Sequence, residues 1–470
     1  MSNKTNIALA FSYVMFPAVA MLLGWGLRGY IGGGPFAAMI PGVFVALGFS
    51  LIFRHDARTA AIVAMFGALG IGYGGDMTYG QTLGLAIKPE TMYWGLLGVT
   101  VKGGVWGLLG GAVLGAGLVR QLYDRKTLSI AFLLTVVAFY LGWKLINEPK
   151  LIYFSDPVNK PREESWAGLL FAAAAFLGYV RAKSDGPLAS LPVRFALWGA
   201  LGGALGFGGG TLWMVFGPDL PVDQKWWGWW KMMEFSFGFI LGAALGLCAW
   251  LNRGRCSETK EGDTPERSSH WAVVGAVAFV ALMFVWAVPV TERAIDADAG
   301  GILAYVQKDI DRLVGSFILF GAVCFTVGVR SVPAAWQIAL TLTFFHTVLD
   351  LVGDFTGPKP GSGFLLPVWA NACLLLGATG AFGIGVARIA KRANPVAAMY
   401  LLLVWACYAV ATARTFVRRE YLDPGDGPGF AALFFHEHPS TFVMQVIFTV
   451  SAIVTTVYIV RLRRRDEVHA

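Results

Sequence analysis

The chain has 470 residues, of which 56% are hydrophobic and only 14% charged; its mean hydropathy is +0.61. A soluble chain of this size would be about one-quarter charged, so composition argues against a water-soluble globular protein. The net charge of +8 would raise nucleic-acid binding for a soluble domain, but no basic stripe interleaved with aromatics occurs and no nucleic-acid partner is expected.

The charges cluster between apolar runs of about 18 to 27 residues, each matching the roughly 20-residue helix that spans a hydrocarbon core. A spanning β-barrel would show short alternating segments instead. The expected fold is all-α, a polytopic transmembrane bundle whose partner is the lipid bilayer. In chain order the predicted spans are 7–27, 35–53, 59–75, 93–119, 127–146, 165–181, 193–216, 230–251, 270–290, 312–330, 333–350, 364–387, 395–416 and 440–460, about fourteen in all. The first run is long for a signal-peptide core and no small-x-small cleavage site follows it, so it reads as a membrane helix.

Arg54 and Arg58, then Arg120, Arg125 and Lys126, then Arg181 and Lys183, fall on alternate loops. Arg253, Arg255, Lys260 and Arg267, then Arg388, Lys391 and Arg392, and the tail from Arg461 to Arg465 continue the pattern. The positive-inside rule then places both termini in the cytoplasm of a cell (inner) membrane. The opposite loops are chemically richer: Gly75 to Tyr79, residues 147–164, the tryptophan cluster Trp226, Trp227 and Trp229, and residues 291–311, 351–363 and 417–439.

The stretch GALGIGYG at Gly67–Gly74 recurs as GALGFGGG at Gly203–Gly210, and the ladder Gly107, Gly111, Gly115 is echoed by Gly238, Gly242, Gly246. Leu23–Trp25 and Ala46–Phe49 are echoed, in the same order, by Leu141–Trp143 and Phe176–Tyr179, at separations of about 118 to 136 residues. These echoes predict tandem four-helix repeats, 1–126 and 127–260, followed by a region of about six helices, 261–470; an even helix count makes the repeats parallel. With 59 glycines, such ladders suit close helix packing in lipid.

Ionisable residues inside the spans are the site candidates, because a charge at that depth costs about 3 kcal/mol or more and normally has a partner. Lys102 lies within the run Tyr93 to Val119, and Glu234 within Trp230 to Leu251. Aligning the glycine ladders sets Lys102 beside Glu234, which predicts an ion pair at the repeat interface. Arg28, Asp76, Lys102, Trp106 and Glu234 are the expected substrate-binding residues, with Trp25 and Trp94 extending an aromatic wall. His346, Asp350 and Asp354 follow at i, i+4 and i+8, along one helical face, and with Glu234 are the candidates for proton or ion coupling. The Gly32-Gly33-Gly34-Pro35 sequence marks a helix break. It lacks the lysine-bearing end of a nucleotide-binding loop, and the five scattered cysteines form no CxxC, so neither a cofactor nor a metal site is expected.

Gly117-x6-Asp124-Arg125-Lys126 resembles the Gly-x-x-x-Asp-Arg loop of major facilitator transporters over about ten residues. It follows the fourth span rather than the second, and four-helix repeats conflict with six-helix halves. The tandem units, the glycine-rich and broken helices and the intramembrane charges, rather than this motif, predict a secondary transporter or permease for a small polar or anionic solute. The alternative is an integral-membrane transferase for a lipid-linked or sugar substrate, with Asp76, Asp219, Asp223 and the His436-Glu437-His438 group as general bases.

Overall fold

The computed structural model describes residues 3–158, 161–257, 308–309, 312–356, 365–417 and 438–469. Its elements, in order, are α1 (Asn3–Ile31), α2 (Gly34–Ile52), α3 (Ala57–Gly74), the short α4 (Gly80–Ala86), α5 (Met92–Leu118) and α6 (Arg125–Gly142), which runs on into a π turn, Trp143–Asn147. There follow α7 (Trp166–Ala182), α8 (Leu191–Phe216), α9 (Trp229–Leu251), α10 (Arg253–Ser257) and α11 (Phe317–Gly328). Next comes α12 (Val332–Gly353), which contains a second π turn, Gln337–Leu342. The last three are α13 (Val368–Ile389), α14 (Val396–Val417) and α15 (Pro439–His469). No strand occurs among the described residues.

Eleven of these helices are long and apolar enough to cross a membrane; Trp166–Ala182 and Phe317–Gly328 are apolar but shorter. The run 312–330 predicts one full span, but the structure interrupts it: residues 312–314 are helical, Gly315 and Ser316 turn, and Phe317–Gly328 follows as a separate helix. The expected span 270–290 and the residues His436 and Glu437 lie outside the described residues. Every other predicted span coincides with a helix, because in hydrocarbon each backbone N–H and C=O must be satisfied within its own segment.

Side-chain caps start the helices that follow tight turns. Asp56 accepts the Thr59 N–H at 2.7 Å, and Asp124 accepts that of Thr127 at 2.5 Å. Asp124, the residue behind the transporter-like motif, is thus an N-cap.

The glycine ladders are seams where backbones touch. A Cβ added to Gly107 would stand 1.8 Å from the Gly199 carbonyl oxygen, one on Gly103 2.3 Å from that of Gly203, and one on Gly111 2.2 Å from that of Phe195. α5 and α8 therefore run antiparallel at the closest approach that side chains permit. On α9, Gly238, Gly242 and Gly246 meet the carbonyls of Met21, Pro17 and Tyr13 on α1 at 2.3 to 2.4 Å by the same measure. The two echoed ladders thus use different partners, α8 and α1, and both seams join residues of 1–126 to residues of 127–260. α2 and α3 lie deepest, with 78% and 89% of their apolar windows buried, whereas α13 is peripheral at 11%.

Antiparallel packing brings the turn between α1 and α2, the segment after α3, the start of α5, the 148–165 segment and the starts of α9 and α11 to one end of the bundle. The polar candidates gather at that end.

Candidate functional site

Lys102, on the third turn of α5, is buried, but its partner is not Glu234. Its Nζ donates to Glu164 Oε1 at 2.7 Å, to Thr82 Oγ1 at 2.7 Å and to the Thr78 carbonyl at 2.6 Å. Lysine and glutamate are each 1% exposed. Glu164 also accepts from Ser155 Oγ at 2.9 Å and from the Phe154 N–H at 3.1 Å. An ammonium has three donors, and all three are used. The ion pair locks the 148–165 segment onto α4 and α5 and leaves Lys102 without capacity for a solute.

Glu234 is held locally. Lys231 Nζ lies 2.5 Å from Oε2 and the Trp230 indole donates to Oε1 at 3.0 Å. The expected Lys102–Glu234 pair does not form, because each charge is met by a nearer group: Glu164 folds in from a connecting segment, and Lys231 stands one turn before Glu234. The carboxylate instead rests on Gly29 of α1, where an added Cβ would fall 2.0 Å from Oε2.

Arg28, the residue before Gly29, is 1% exposed and sits in a cage of rings. Its guanidinium carbon is 5.8 Å from the Trp25 ring centroid, 5.2 Å from Tyr79 and 5.3 Å from Trp106. Nη1 donates to the Tyr79 hydroxyl. Burial pushes the Tyr79 phenol above its usual range and Arg28 opposes this, so the hydroxyl stays protonated at neutral pH. Nε is buried with no hydrogen-bond partner, and no carboxylate pairs with Arg28 among the described residues. The cage is rigid: Trp106 donates to the Ile71 carbonyl at 2.7 Å and meets Trp25 edge-on at 5.0 Å. Trp94 stands outside it, packed against Phe154 at 5.0 Å, so the aromatic wall is Trp25, Tyr79 and Trp106.

Asp76 lies beyond α3, partly buried beside Arg312 at 3.5 Å. Burial raises its carboxyl above the usual range, against the lowering effect of Arg312 and of the Phe317 N–H. It ties the end of α3 to the start of α11. Asp354 is also engaged: Arg414 grips it from Nε at 2.5 Å and Nη2 at 3.0 Å, and spends Nη1 on the Tyr30 carbonyl at 3.0 Å. His346 and Asp350 remain together, Nδ1 to Oδ2 at 3.2 Å. No cluster of three or more metal-ligating side chains occurs among the described residues.

The structure thus brings Arg28, Trp106 and Glu234 to the end of α1, sets Lys102 and Asp76 in separate ion pairs, and adds Tyr79, Trp230 and Lys231. Tyr79 lies in the loop marked as chemically rich, but nothing in its spacing points at Arg28. Glu164 flanks the predicted span 165–181, and its position at the edge of an apolar run was the one available signal. No family model, curated protein or solved structure matches the chain.

Proposed function

We propose that this membrane protein is a permease for a small anionic solute, with Arg28 as the anion-binding group. The observation that carries the reading is a buried guanidinium with no carboxylate partner among the described residues. Ring faces stabilise a cation by about 0.5–2 kcal/mol each but do not cancel its charge. Burying an ion costs several kcal/mol unless it is paired, so the remaining deficit favours an incoming anion. A guanidinium fork also matches carboxylate or phosphate through two parallel hydrogen bonds. Lys231 and Glu234 beside it sum to zero charge, leaving Arg28 to set the sign. Glycines at 29, 32, 33 and 34 let the closed end of α1 move without rotating bulky side chains, as alternating access requires.

Transport fits better than group transfer, because of the bases a transferase would use, Asp76 is paired with Arg312 and Asp223 caps a turn by accepting the Lys225 N–H at 3.1 Å, while Glu234, the carboxylate beside the Arg28 cage, is held by Lys231. The test is uptake of radiolabelled inorganic phosphate, sulfate and succinate into proteoliposomes, with lipid extracts analysed for covalent change. Arg28→Gln should lower flux at least about tenfold, the equivalent of one lost charge-assisted hydrogen bond of about 1.5–3 kcal/mol. Arg28→Lys should restore part of it. Equal flux in wild type and Arg28→Gln would overturn the reading, and a modified lipid would favour the transferase.

A further inference from the structure

We infer that His346 and Asp350 form a proton-binding site that governs anion binding through the turn between α1 and α2. The inference rests on the anion reading of Arg28 and names its coupling ion.

Three observations meet at that turn. Gly32 has φ +152°, a conformation that side chains other than hydrogen rarely adopt. It also leaves no room for one, since an added Cβ would fall 1.6 Å from Asp350 Oδ2. The carboxylate therefore rests directly on the hinge, one helical turn beyond Arg28, whose carbonyl accepts the Gly32 N–H at 3.1 Å. Across the same turn, the His346 ring stacks on Phe36 of α2 at 5.3 Å and 13°. The pair thus touches both helices that the hinge joins.

Nδ1 and Oδ2 face each other at 3.2 Å, yet both atoms are buried and neither makes a hydrogen bond. With the neutral imidazole's proton on Nε2, Nδ1 and the carboxylate oxygen turned toward it are two acceptors. One proton placed between them serves both. Histidine is the side chain suited to gaining and losing that proton near neutral pH. The pair stands on the helix that contains the π turn Gln337–Leu342, a feature frequent at functional sites.

The sign follows from the charges around the pair. These are Arg28 on α1, Glu234 of α9 against Gly29 with its partner Lys231, Asp354 just past the end of α12 with Arg414 of α14, and Asp76 with Arg312 beside the end of α3; Phe36 of α2, Phe317 of α11 and Phe382 of α13 carry none. Glu234, Asp354 and Asp76 each have a basic partner, so Asp350 is the carboxylate here whose charge depends on protonation of its neighbour. Unprotonated, the pair bears one negative charge next to the hinge and opposes an anion at Arg28. Protonated, it is neutral overall. Proton and anion therefore bind together, and affinity falls as pH rises. Coupling between sites of this kind usually spans about 5- to 150-fold.

The experiment uses the full chain in detergent. Infrared difference spectra between about pH 8 and pH 5 report imidazole protonation through the carboxylate stretch that it perturbs, and a pH dye in weak buffer reports protons taken up when inorganic phosphate, sulfate or succinate is added. Wild type should show a carboxylate band that Asp350→Asn and His346→Gln each remove, and at least one probe should drive proton uptake. Asp350→Asn should bind that anion with pH-independent affinity, while Arg28→Gln should lose binding and proton uptake together. A wild-type carboxylate band that survives in both pair variants, eluting as monodisperse protein, would overturn the site. So would anion-driven proton uptake that persists in Asp350→Asn. If no probe binds and Arg28→Gln matches wild type, the permease reading fails instead, and the infrared titration still decides the pair.

Discussion

Replacing Lys102 by methionine removes a cation that donates three hydrogen bonds of 2.6 to 2.7 Å, while keeping most of the side-chain volume. Glu164 is left as a buried carboxylate with only Ser155 Oγ and the Phe154 N–H as donors. Breaking a buried pair from one side costs about 3–5 kcal/mol, because the surviving charge stays desolvated. Glu164→Gln removes the other charge and strands the ammonium, at a similar cost. In the double variant neither charge is present, and the glutamine can still accept from Ser155 and Phe154. The double should therefore recover about 2–3 kcal/mol of the summed losses, the upper range of coupling between residues in contact. The assay is a thermodynamic cycle from SDS-titrated unfolding in mixed micelles. Lys102→Met with Glu234→Gln is the control and should be additive within about 0.5 kcal/mol, since the two share no partner. An additive Lys102/Glu164 cycle, or a Lys102→Met cost under about 1 kcal/mol, would refute the reasoning; a non-additive Lys102/Glu234 cycle would restore the pairing expected from the glycine alignment.

Two further outcomes follow from the helix packing and from the turn between α2 and α3. Gly107→Ala puts a methyl 1.8 Å from the Gly199 carbonyl oxygen and should cost about 3 kcal/mol or more by forcing α5 off α8. Gly104→Ala meets nothing nearer than 3.5 Å and should be neutral or up to about 1 kcal/mol stabilising, as expected for alanine over glycine within a helix; the same unfolding assay separates them. His55, in the turn between α2 and α3, has its pKa lowered by burial to about 4, with Asp56 opposing. Its folded value lies below the unfolded one, so its contribution is fully present above about pH 6.5 and is lost as pH falls toward 4, a total of about 3 kcal/mol. His55→Gln should flatten the acid limb of the stability profile over that window, and an unchanged slope would count against a neutral, buried imidazole.

The membrane helices were legible because each carries its own evidence: an apolar run of the right length, ended by charges and turn residues. Lys102 was legible as a costly buried cation for the same local reason, whereas Arg28 falls just past the predicted span 7–27 and its burial came from packing that the local pattern does not show. The His346–Asp350 contact was legible too, since four residues bring side chains together on a helix. Asp354 broke that series because Arg414, from another helix, took it in a two-pronged grip. Glu164 was hidden among the mixed charges of a connecting segment, where acids are ordinary. The cage around Arg28 drew Tyr79 from one loop and Trp106 from another helix, and no periodicity links them.

The amino-acid order alone determined that this chain forms many helices long and apolar enough to cross a bilayer and that a few ions among them must be shielded, since hydropathy and the cost of a buried charge act within single segments. Which ions shield one another was decided only by tertiary structure. Partner choice depends on distances of a few ångströms between residues far apart in the chain, and those distances are set by how glycine seams draw the helices together.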